Sequence, residues 1–225
     1  MLKGIDVSWC QGRNVDWAAL KASGIEFEFS KSSEGVTGTD PTFKNNAKMA
    51  LDLDMISGAY HVIRPGNPEA QAIHFYENTK DAGLLLPPVM DWEPLNSTGT
   101  LFAPVNDAII FIQKTEDLWQ KPCIIYTYPS FFKYTLKNPS DKFWTARALW
   151  IAHYGVSSPT IPGGWKKWTI WQYDGNGGEL MPDKGDADFN WYDGTKDELL
   201  KFCGCLQFGE ESGKVTEESF PIKGA

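Results

Sequence analysis

The chain has 225 residues and a net charge of −8 at neutral pH, which argues against nucleic acid as a partner, because its binding requires clustered Lys and Arg. Hydrophobic residues make up 42% of the sequence, which suffices for one large domain with a sizeable core. Aromatic residues reach 14%, with ten Trp, and Trp side chains either pack in cores or stack on sugar rings.

Strands and helices alternate regularly through the first half of the sequence. Predicted strands cover residues 2–8, 25–31, 55–62, 86–93, 122–126, 148–152, 167–172 and 187–190. Predicted helices run from residue 14 or 16 to 20 and over residues 40–52, 67–81, 103–120 and 195–202. Such alternation is typical of a parallel sheet with crossover helices.

Eight strands within about 190 residues predict an α/β fold, namely a closed, eight-stranded, TIM-like β/α barrel. Segments 154–166 and 173–186 are rich in Gly, Pro and Ser where full helices would be expected, so this barrel lacks some helices in its C-terminal half. A doubly wound open sheet is the alternative, although no glycine-rich dinucleotide fingerprint follows the first strand. We expect a single barrel domain over residues 1–205 and a polar tail over residues 206–225.

Two carboxylates end the fourth predicted strand. Residues 86–93 (LPPVMDWE) begin as an apolar run and finish with Asp91 and Glu93. Side chains alternate across a strand, so both carboxylates point the same way, roughly 6–7 Å apart, and Trp92 points opposite. Two carboxylates this close do not both ionise easily, so the pKa of one rises and it can act as a general acid on a glycosidic bond. The alternative is a solvated turn without function.

Nearly every predicted strand ends in a polar or amphipathic residue. In a parallel barrel the active site lies at the carboxyl ends of the strands. We therefore expect one acidic, aromatic-lined cleft built around four carboxylates: Asp6, Asp91, Glu93 and Asp188. These strand-end residues also have structural alternatives. Asp6 could be a turn residue, and Asp188 could be part of a polar loop. His61, which ends the third predicted strand, could be a core histidine.

Other chemistries find little support in the sequence. There is no Gly-x-Ser-x-Gly elbow, and no local pattern supports a Cys–His pair, which argues against a nucleophilic Ser or Cys. His and Asp are not arranged at ligand spacing, so we expect no metal and no other cofactor. No run of about 18 apolar residues occurs, so we expect no membrane insertion. Because Asp6 follows the N-terminus so closely, we expect no signal peptide.

Eight short motifs follow one another along the chain. They are GIDVS with QG (residues 4–12), SEG (33–35), DPxF with Asn46 (40–46), GAYHxxRP (58–65), MDWE (90–93), LWIAxY (149–154), IWQY (170–173) and DFN (188–190). This series resembles the Chalaropsis-type lysozymes, glycoside hydrolase family 25, over about residues 2–193. Each motif is weak by itself, and the combination in this order is specific.

The resemblance implies a flattened β/α barrel and N-acetylmuramidase activity, which cleaves the β-1,4 bond between N-acetylmuramic acid and N-acetylglucosamine in peptidoglycan. It implies that Glu93 is the general acid and that Asp91 assists the substrate's acetamido group, with Asp6 and Asp188 as further acidic residues of the cleft. Substrate contacts are implied for four more residues: Tyr60, Tyr126, Trp150 and Gln172.

The family context also predicts where the chain acts. Family members include phage endolysins and bacterial autolysins, so we expect a peptidoglycan hydrolase that stays in the cytoplasm until another protein releases it to the wall. A truncated catalytic domain fits equally well. Two other functions stay open: a chitinase-like or endo-N-acetylglucosaminidase hydrolase, and an inactive module that binds cell-wall sugars.

Overall fold

The computed structural model describes residues 1–11, 15–137, 142–175 and 188–205 of the chain. Its strands are β1 (Leu2–Val7), β2 (Ile25–Glu34), β3 (Gly38–Thr39), β4 (Ile56–Val62), β5 (Val89–Asp91), β6 (Ile124–Thr127), β7 (Leu149–Ala152), β8 (Ile170–Asp174) and β9 (Asp188–Tyr192). The helices are α1 (Trp17–Ala22), α2 (Phe43–Asp52), α3 (Pro68–Thr79), α4 (Val105–Trp119), α5 (Lys142–Thr145) and α6 (Lys196–Phe202). The predicted tail over residues 206–225 lies outside the described residues.

The strands form one sheet that closes into an eight-stranded barrel. Strand β1 pairs with both β2 and β9, so the order β1-β2-β4-β5-β6-β7-β8-β9 returns to β1, and β3 is a short extra strand beside β2. The predicted closed barrel is thereby confirmed. Neighbouring strands are parallel from β1 to β8, whereas β9 runs antiparallel to both β8 and β1. The sequence did not predict this reversal.

Local signals in the sequence account for several helix ends. Asp16 caps α1, since its side chain accepts a hydrogen bond from the backbone N–H of Ala19. Helix α6 begins with a reciprocal capping box between Thr195 and Glu198. Helix α2 was predicted to open at residue 40 and instead begins at Phe43, because the Asp40 carboxylate accepts from the N–H of Thr42 and holds a turn there.

The long helices cluster in the first half of the barrel, as predicted. The connection from β7 to β8, residues 153–169, contains no helix. In the described residues of the connection from β6 to β7, the helical segments are the four-residue α5 and the short π-helical segment Phe131–Thr135. Glycine and proline in the β7–β8 connection explain the loss there, since neither supports a helix interior. Most of segment 173–186 lies outside the described residues.

Large apolar side chains fill the barrel interior. The rings of Phe29 and Trp150 pack there with centroids 4.7 Å apart. Two glycines provide the space: a Cβ on Gly4 would lie 2.2 Å from the ring of Phe27, and one on Gly58 would lie 2.5 Å from the ring of Phe29. The interior is therefore a packed floor, and polar groups are confined to the end above it.

Candidate active site

The Asp91-Trp92-Glu93 segment leaves the barrel floor at the end of β5. Trp92 is fully buried outside the barrel, where its ring stacks on Trp144 and its Nε1 donates to the carbonyl of Ala103 at 2.8 Å. The backbone N–H of Trp92 also donates to the carbonyl of Tyr126, which extends the β5–β6 pairing past Asp91. The predicted alternation is confirmed: Trp92 anchors the segment, and both carboxylates face the opposite side.

All eight residues predicted for the site line one cavity of about 100 Å³ at the mouth of the barrel. They are Asp6, Tyr60, Asp91, Glu93, Tyr126, Trp150, Gln172 and Asp188. The parallel strands explain the convergence, because their carboxyl ends meet at one end of the barrel and each contributes one or two side chains. The expected acidic, aromatic-lined cleft is thus present.

Asp188 reaches this cavity by a different route from the one predicted. It is the first residue of β9 and does not lie at a strand's carboxyl end. Because β9 runs antiparallel to its neighbours, its beginning lies beside their carboxyl ends, and Asp188 is the register partner of Asp6 on β1. The expectation about its position along the strand is wrong, and the reversed strand direction brings it to the same place.

A network of amide groups fixes the Asp6 carboxylate. Its Oδ2 accepts from Gln172 Nε2 at 2.8 Å and from Asn190 Nδ2 at 2.7 Å. Gln172 in turn accepts, on Oε1, the hydroxyl protons of Tyr126 and Tyr154 at 2.9 and 2.6 Å. Asn190 accepts at 2.8 Å from the indole N–H of Trp150 on the barrel floor. Each amide therefore has its orientation set, and both point N–H groups at Asp6.

Sequence reasoning missed two members of this network. Asn190 was recognised only as part of a motif, although its position two residues after Asp188 places it on the same face of β9. Tyr154 was likewise recognised only as the last residue of the LWIAxY motif. The register of β9 against β1 and β8 decides the role of Asn190, and its sequence signal is weak because β9 runs against the rest of the barrel. The pairing of β7 with β8 brings Tyr154 beside Gln172.

Burial and mutual repulsion raise the acid pKa values of the site. Burial raises the pKa of Glu93 to about 7, with a further contribution from the negative charge of Asp188. Burial and the charge of Glu93 raise the pKa of Asp91 well above its usual range. Burial and Asp188 do the same for the pKa of Asp6, against which the hydrogen bonds from Asn190 and Gln172 work. The site thus holds protons at a pH where isolated carboxyls are ionised.

One carboxylate oxygen in the cavity is left over. The Oδ1 of Asp91 is buried and has no hydrogen-bond partner among the described residues. A buried carboxylate oxygen without a donor is costly unless a ligand supplies one. The natural partner for Asp91 is therefore an N–H or O–H group of a bound molecule.

A larger groove of about 830 Å³ continues from the cavity and shares Glu93 and Tyr126 with it. Its other lining residues come mainly from the connections after β6 and β7: Tyr128, Pro129, Ser130, Lys133, Tyr134, Ala152, His153, Tyr154, Thr160, Ile161 and Pro162. Tyr134 and Tyr154 expose 72% and 50% of their surface there, which suits aromatic stacking on a sugar. The sequence did not predict this groove.

His61 belongs to the core and not to the cavity. It is fully buried, its ring stacks on Phe111 at 5.1 Å, and its Nδ1 shares a hydrogen bond with the hydroxyl of Ser33. Burial lowers its pKa to about 3, so the ring is neutral. Within the described part of the chain, no three His, Cys, Asp or Glu side chains are grouped to hold a metal ion, and no helix is long and apolar enough to cross a membrane.

The sequence profile of glycosyl hydrolases family 25 matches residues 5–179. The chain belongs to this family. Lysozyme M1 of Streptomyces globisporus is 33% identical over 217 residues, covering 88% of this chain and 70% of the relative. The N,O-diacetylmuramidase of Chalaropsis sp is 30% identical over 76% of this chain and 87% of its own. A crystal structure of the lysozyme from Streptomyces coelicolor aligns with a TM-score of 0.76 at 31% identity, covering 90% of this chain and 96% of that one.

Membership of family 25 makes the protein a glycoside hydrolase and confirms the predicted resemblance and fold class. The matched residues 5–179 include seven of the eight cavity residues named above. The eighth, Asp188, lies beyond the match, so its place in this family 25 hydrolase rests on its pairing with Asp6.

Proposed function

We propose that the protein is an N-acetylmuramidase that hydrolyses the β-1,4 bond from N-acetylmuramic acid to N-acetylglucosamine in peptidoglycan. One observation carries this proposal: Glu93, with a pKa of about 7, lies at the junction of a small acidic cavity and a longer open groove. A glycosidic oxygen at this junction could take a proton from Glu93, with sugar units on either side. The names of the matched lysozymes and muramidase support peptidoglycan as the substrate.

Glu93 acts as the general acid in this proposal. It donates its proton to the oxygen that links the two sugars, so the leaving sugar departs as a neutral alcohol. The negative charge of Asp188 favours the protonated form of Glu93 before the reaction. Once the bond begins to break, the carboxylates of the cavity stabilise the positive charge that develops on the remaining sugar ring.

Asp91 assists the acetamido group of the sugar held in the cavity. Its unpartnered Oδ1 accepts the acetamido N–H, which orients the group and increases the electron density on its carbonyl oxygen. That oxygen lies next to the anomeric carbon in any 2-acetamido sugar and can stabilise it as the bond breaks. Because Asp6 is fixed by Gln172 and Asn190, it serves as a stationary charge beneath the ring.

The cavity and the groove hold different parts of the substrate. The cavity of about 100 Å³ holds the reacting part of one sugar ring, above Trp150. The groove of about 830 Å³ lies beyond Glu93 and receives the leaving half of the glycan strand, whose rings stack on its exposed tyrosines. Tyr60, Tyr126 and Gln172 line the cavity walls and contact the bound sugar.

The decisive experiment identifies the new reducing end. Purified protein is incubated with insoluble peptidoglycan, the products are reduced with borohydride, and the reduced sugars are identified after acid hydrolysis. Muramitol is expected; glucosaminitol would instead indicate a glucosaminidase, and no reduced sugar would indicate a binding module.

Glu93→Gln should lower the rate at least ~10²-fold. Glu77→Gln, at an exposed position of α3, is the matched control and should keep full activity.

The bacterial cell wall is the site of action in this proposal. The expected release of a cytoplasmic enzyme by another protein during phage lysis stays a prediction. It is checked by expressing the chain inside a bacterium with and without a pore-forming partner and following lysis by light scattering.

A further inference from the structure

The side chain of Lys31 extends toward the acidic cavity. Lys31 follows Phe27 and Phe29 at alternate positions of β2, and both phenyl rings fill the barrel interior, so the same strand face directs Lys31 toward the cavity. In the register of the sheet, Lys31 lies opposite Tyr60 of β4, whose side chain lines the cavity. Lys31 is not among the described residues that line the cavity, so it acts on the site through its charge.

The side chains of Glu34 and Arg64 form a series of ion pairs with the Lys31 ammonium. Lys31 Nζ lies 2.6 Å from Glu34 Oε2, and the other oxygen of Glu34 accepts from Arg64 Nε at 3.1 Å and Nη2 at 2.6 Å. The Lys31 side chain is 16% exposed, against 45% for Arg64 on the outer end of the chain of charges. The ammonium is thus held away from bulk water. Its electric field is therefore only weakly screened by solvent and salt.

We propose that the Arg64–Glu34–Lys31 series is a positioning device that holds one positive charge beside Asp91 and Glu93 and keeps Asp91 ionised at the working pH. The inference rests on the function proposed above. The site needs such a device because burial favours the neutral form of both carboxyls. Asp91, however, must be ionised to accept a strong hydrogen bond from the acetamido N–H of the substrate.

The electrostatics of the site agree with this geometry. The charge of Lys31 lowers the pKa of both Asp91 and Glu93, against burial and against their acidic neighbours. The charge of Lys31 acts on titratable groups from several elements: Glu34 of β2, His61 of β4, Asp91 of β5 and Glu93 after it. Tyr60, its register partner on β4, is in turn affected by the charges of four aspartates: Asp6, Asp91, Asp188 and Asp40. His61 is neutral over the working range, so it contributes no competing positive charge.

The test compares activity against pH for Lys31→Met, Lys31→Arg and Lys21→Met. Removing the ammonium should raise both carboxyl pKa values, so both limbs of the pH profile should move to higher pH by about 0.5–1 unit. On the acidic limb this corresponds to a loss of about three- to tenfold at fixed pH. Lys31→Arg should restore the wild-type profile, since it keeps the charge.

Lys21→Met is the matched control, because Lys21 also pairs with a glutamate of β2, Glu26, at 3.0 Å, but at the amino end of that strand. Its profile should not move. An unmoved profile for Lys31→Met, or a loss equal at every pH, would overturn the inference while leaving the proposed function intact. Activity in Glu93→Gln would instead overturn the proposed function.

A second measurement does not depend on turnover. Carboxyl ¹³C titration by NMR, with resonances identified from Asp91→Asn and Glu93→Gln, should show both pKa values raised in folded Lys31→Met. Unchanged values would contradict the inference. If Lys31→Met does not fold, as judged by its thermal melting curve, Lys31→Gln replaces it, because the amide can still donate to Glu34.

Discussion

Asp6 and Asp188 face each other as register partners on the antiparallel strands β1 and β9. The negative charge of Asp188 raises the pKa of Asp6, and it also raises the pKa of Glu93. Asp188, which lies on the reversed strand β9, therefore acts on Asp6 of the parallel strand β1 and on Glu93 just after the parallel strand β5. The acid strength of Glu93 thus depends on how the barrel closes, because closure brings Asp188 beside the site.

Activity should follow a bell-shaped dependence on pH. Glu93 must be protonated to act as the acid, and its pKa is about 7, so activity should fall as the pH rises through about 7. On the acidic side, activity should fall as Asp91 takes up a proton. The profile reports a coupled site, and the order in which Asp91 and Glu93 ionise stays a prediction. Initial rates on peptidoglycan at constant ionic strength check this; activity still rising beyond pH 8 would contradict the role of Glu93.

Asn190→Ala should impair both folding stability and turnover. The substitution leaves the buried N–H of Trp150 without its acceptor and removes one donor from Asp6, at a cost of about 1–3 kcal/mol in unfolding free energy. Activity should fall at least tenfold, because Asp6 is no longer fixed. Urea unfolding and wall-clearing rates measure the two effects. The control is Asn78→Ala in α3, which removes a hydrogen bond to the carbonyl of Ser32 in β2 and should lower stability without lowering turnover.

Glu28 should make the fold less stable at alkaline pH. It is fully buried and bonded to the hydroxyls of Ser30 and Ser57, and burial raises its pKa to about 7. The folded pKa exceeds the unfolded one, so the contribution to stability is complete below about 4.5 and is lost as pH rises through about 7. The loss should be on the order of 3 kcal/mol, given about 1.4 kcal/mol per pKa unit.

Glu28→Gln should therefore flatten the decline in unfolding free energy between about pH 4.5 and about pH 7. The neighbouring Glu26→Gln is the control: hydrogen bonds and charges from Lys196 and Lys21 lower the pKa of Glu26, so its contribution is lost only toward acidic pH. Chemical denaturation at several pH values compares the two variants. An equal decline in wild type and Glu28→Gln would show that Glu28 is not the responsible group.

Gly4→Ala should destabilise the barrel by about 1–3 kcal/mol, because the new methyl group overlaps the ring of Phe27. Replacing Phe27 with Leu should itself cost stability, but the double variant Gly4→Ala with Phe27→Leu should cost less than the sum of the two changes. A double-mutant cycle in urea measures this coupling. Strict additivity would mean that the ring does not occupy the space above Gly4.

Tyr134→Ala should weaken substrate binding in the groove and leave the chemical step unchanged. Tyr134 is 72% exposed and lies in the groove beyond Glu93, so its loss should raise KM several-fold on long glycan strands with kcat nearly unchanged. Because the side chain is exposed, the melting temperature should not change. A fall in kcat with unchanged KM would place this residue in the chemical step and contradict the division of the substrate between the cavity and the groove.

The sequence by itself predicted the barrel, the position of most strands and the four carboxylates of the cavity, and the family resemblance implied the other four cavity residues. Period-two alternation places Asp91 and Glu93 on one strand face, and the parallel topology brings their strand end beside those of Asp6 and Gln172. These are local patterns and topological rules, which a sequence carries directly. The motif series added the family and the chemistry.

Tertiary structure decided what depends on register and strand direction. The reversal of β9 placed Asp188 opposite Asp6 and turned Asn190 into a bridge between Trp150 and Asp6. The series from Arg64 through Glu34 to Lys31 joins two residues of β2 to Arg64, which lies 30 positions after Glu34 and just beyond the end of β4. Such relationships arise from which side chains meet after the sheet closes, and burial then sets their pKa values, so neither can be deduced from spacing along the chain.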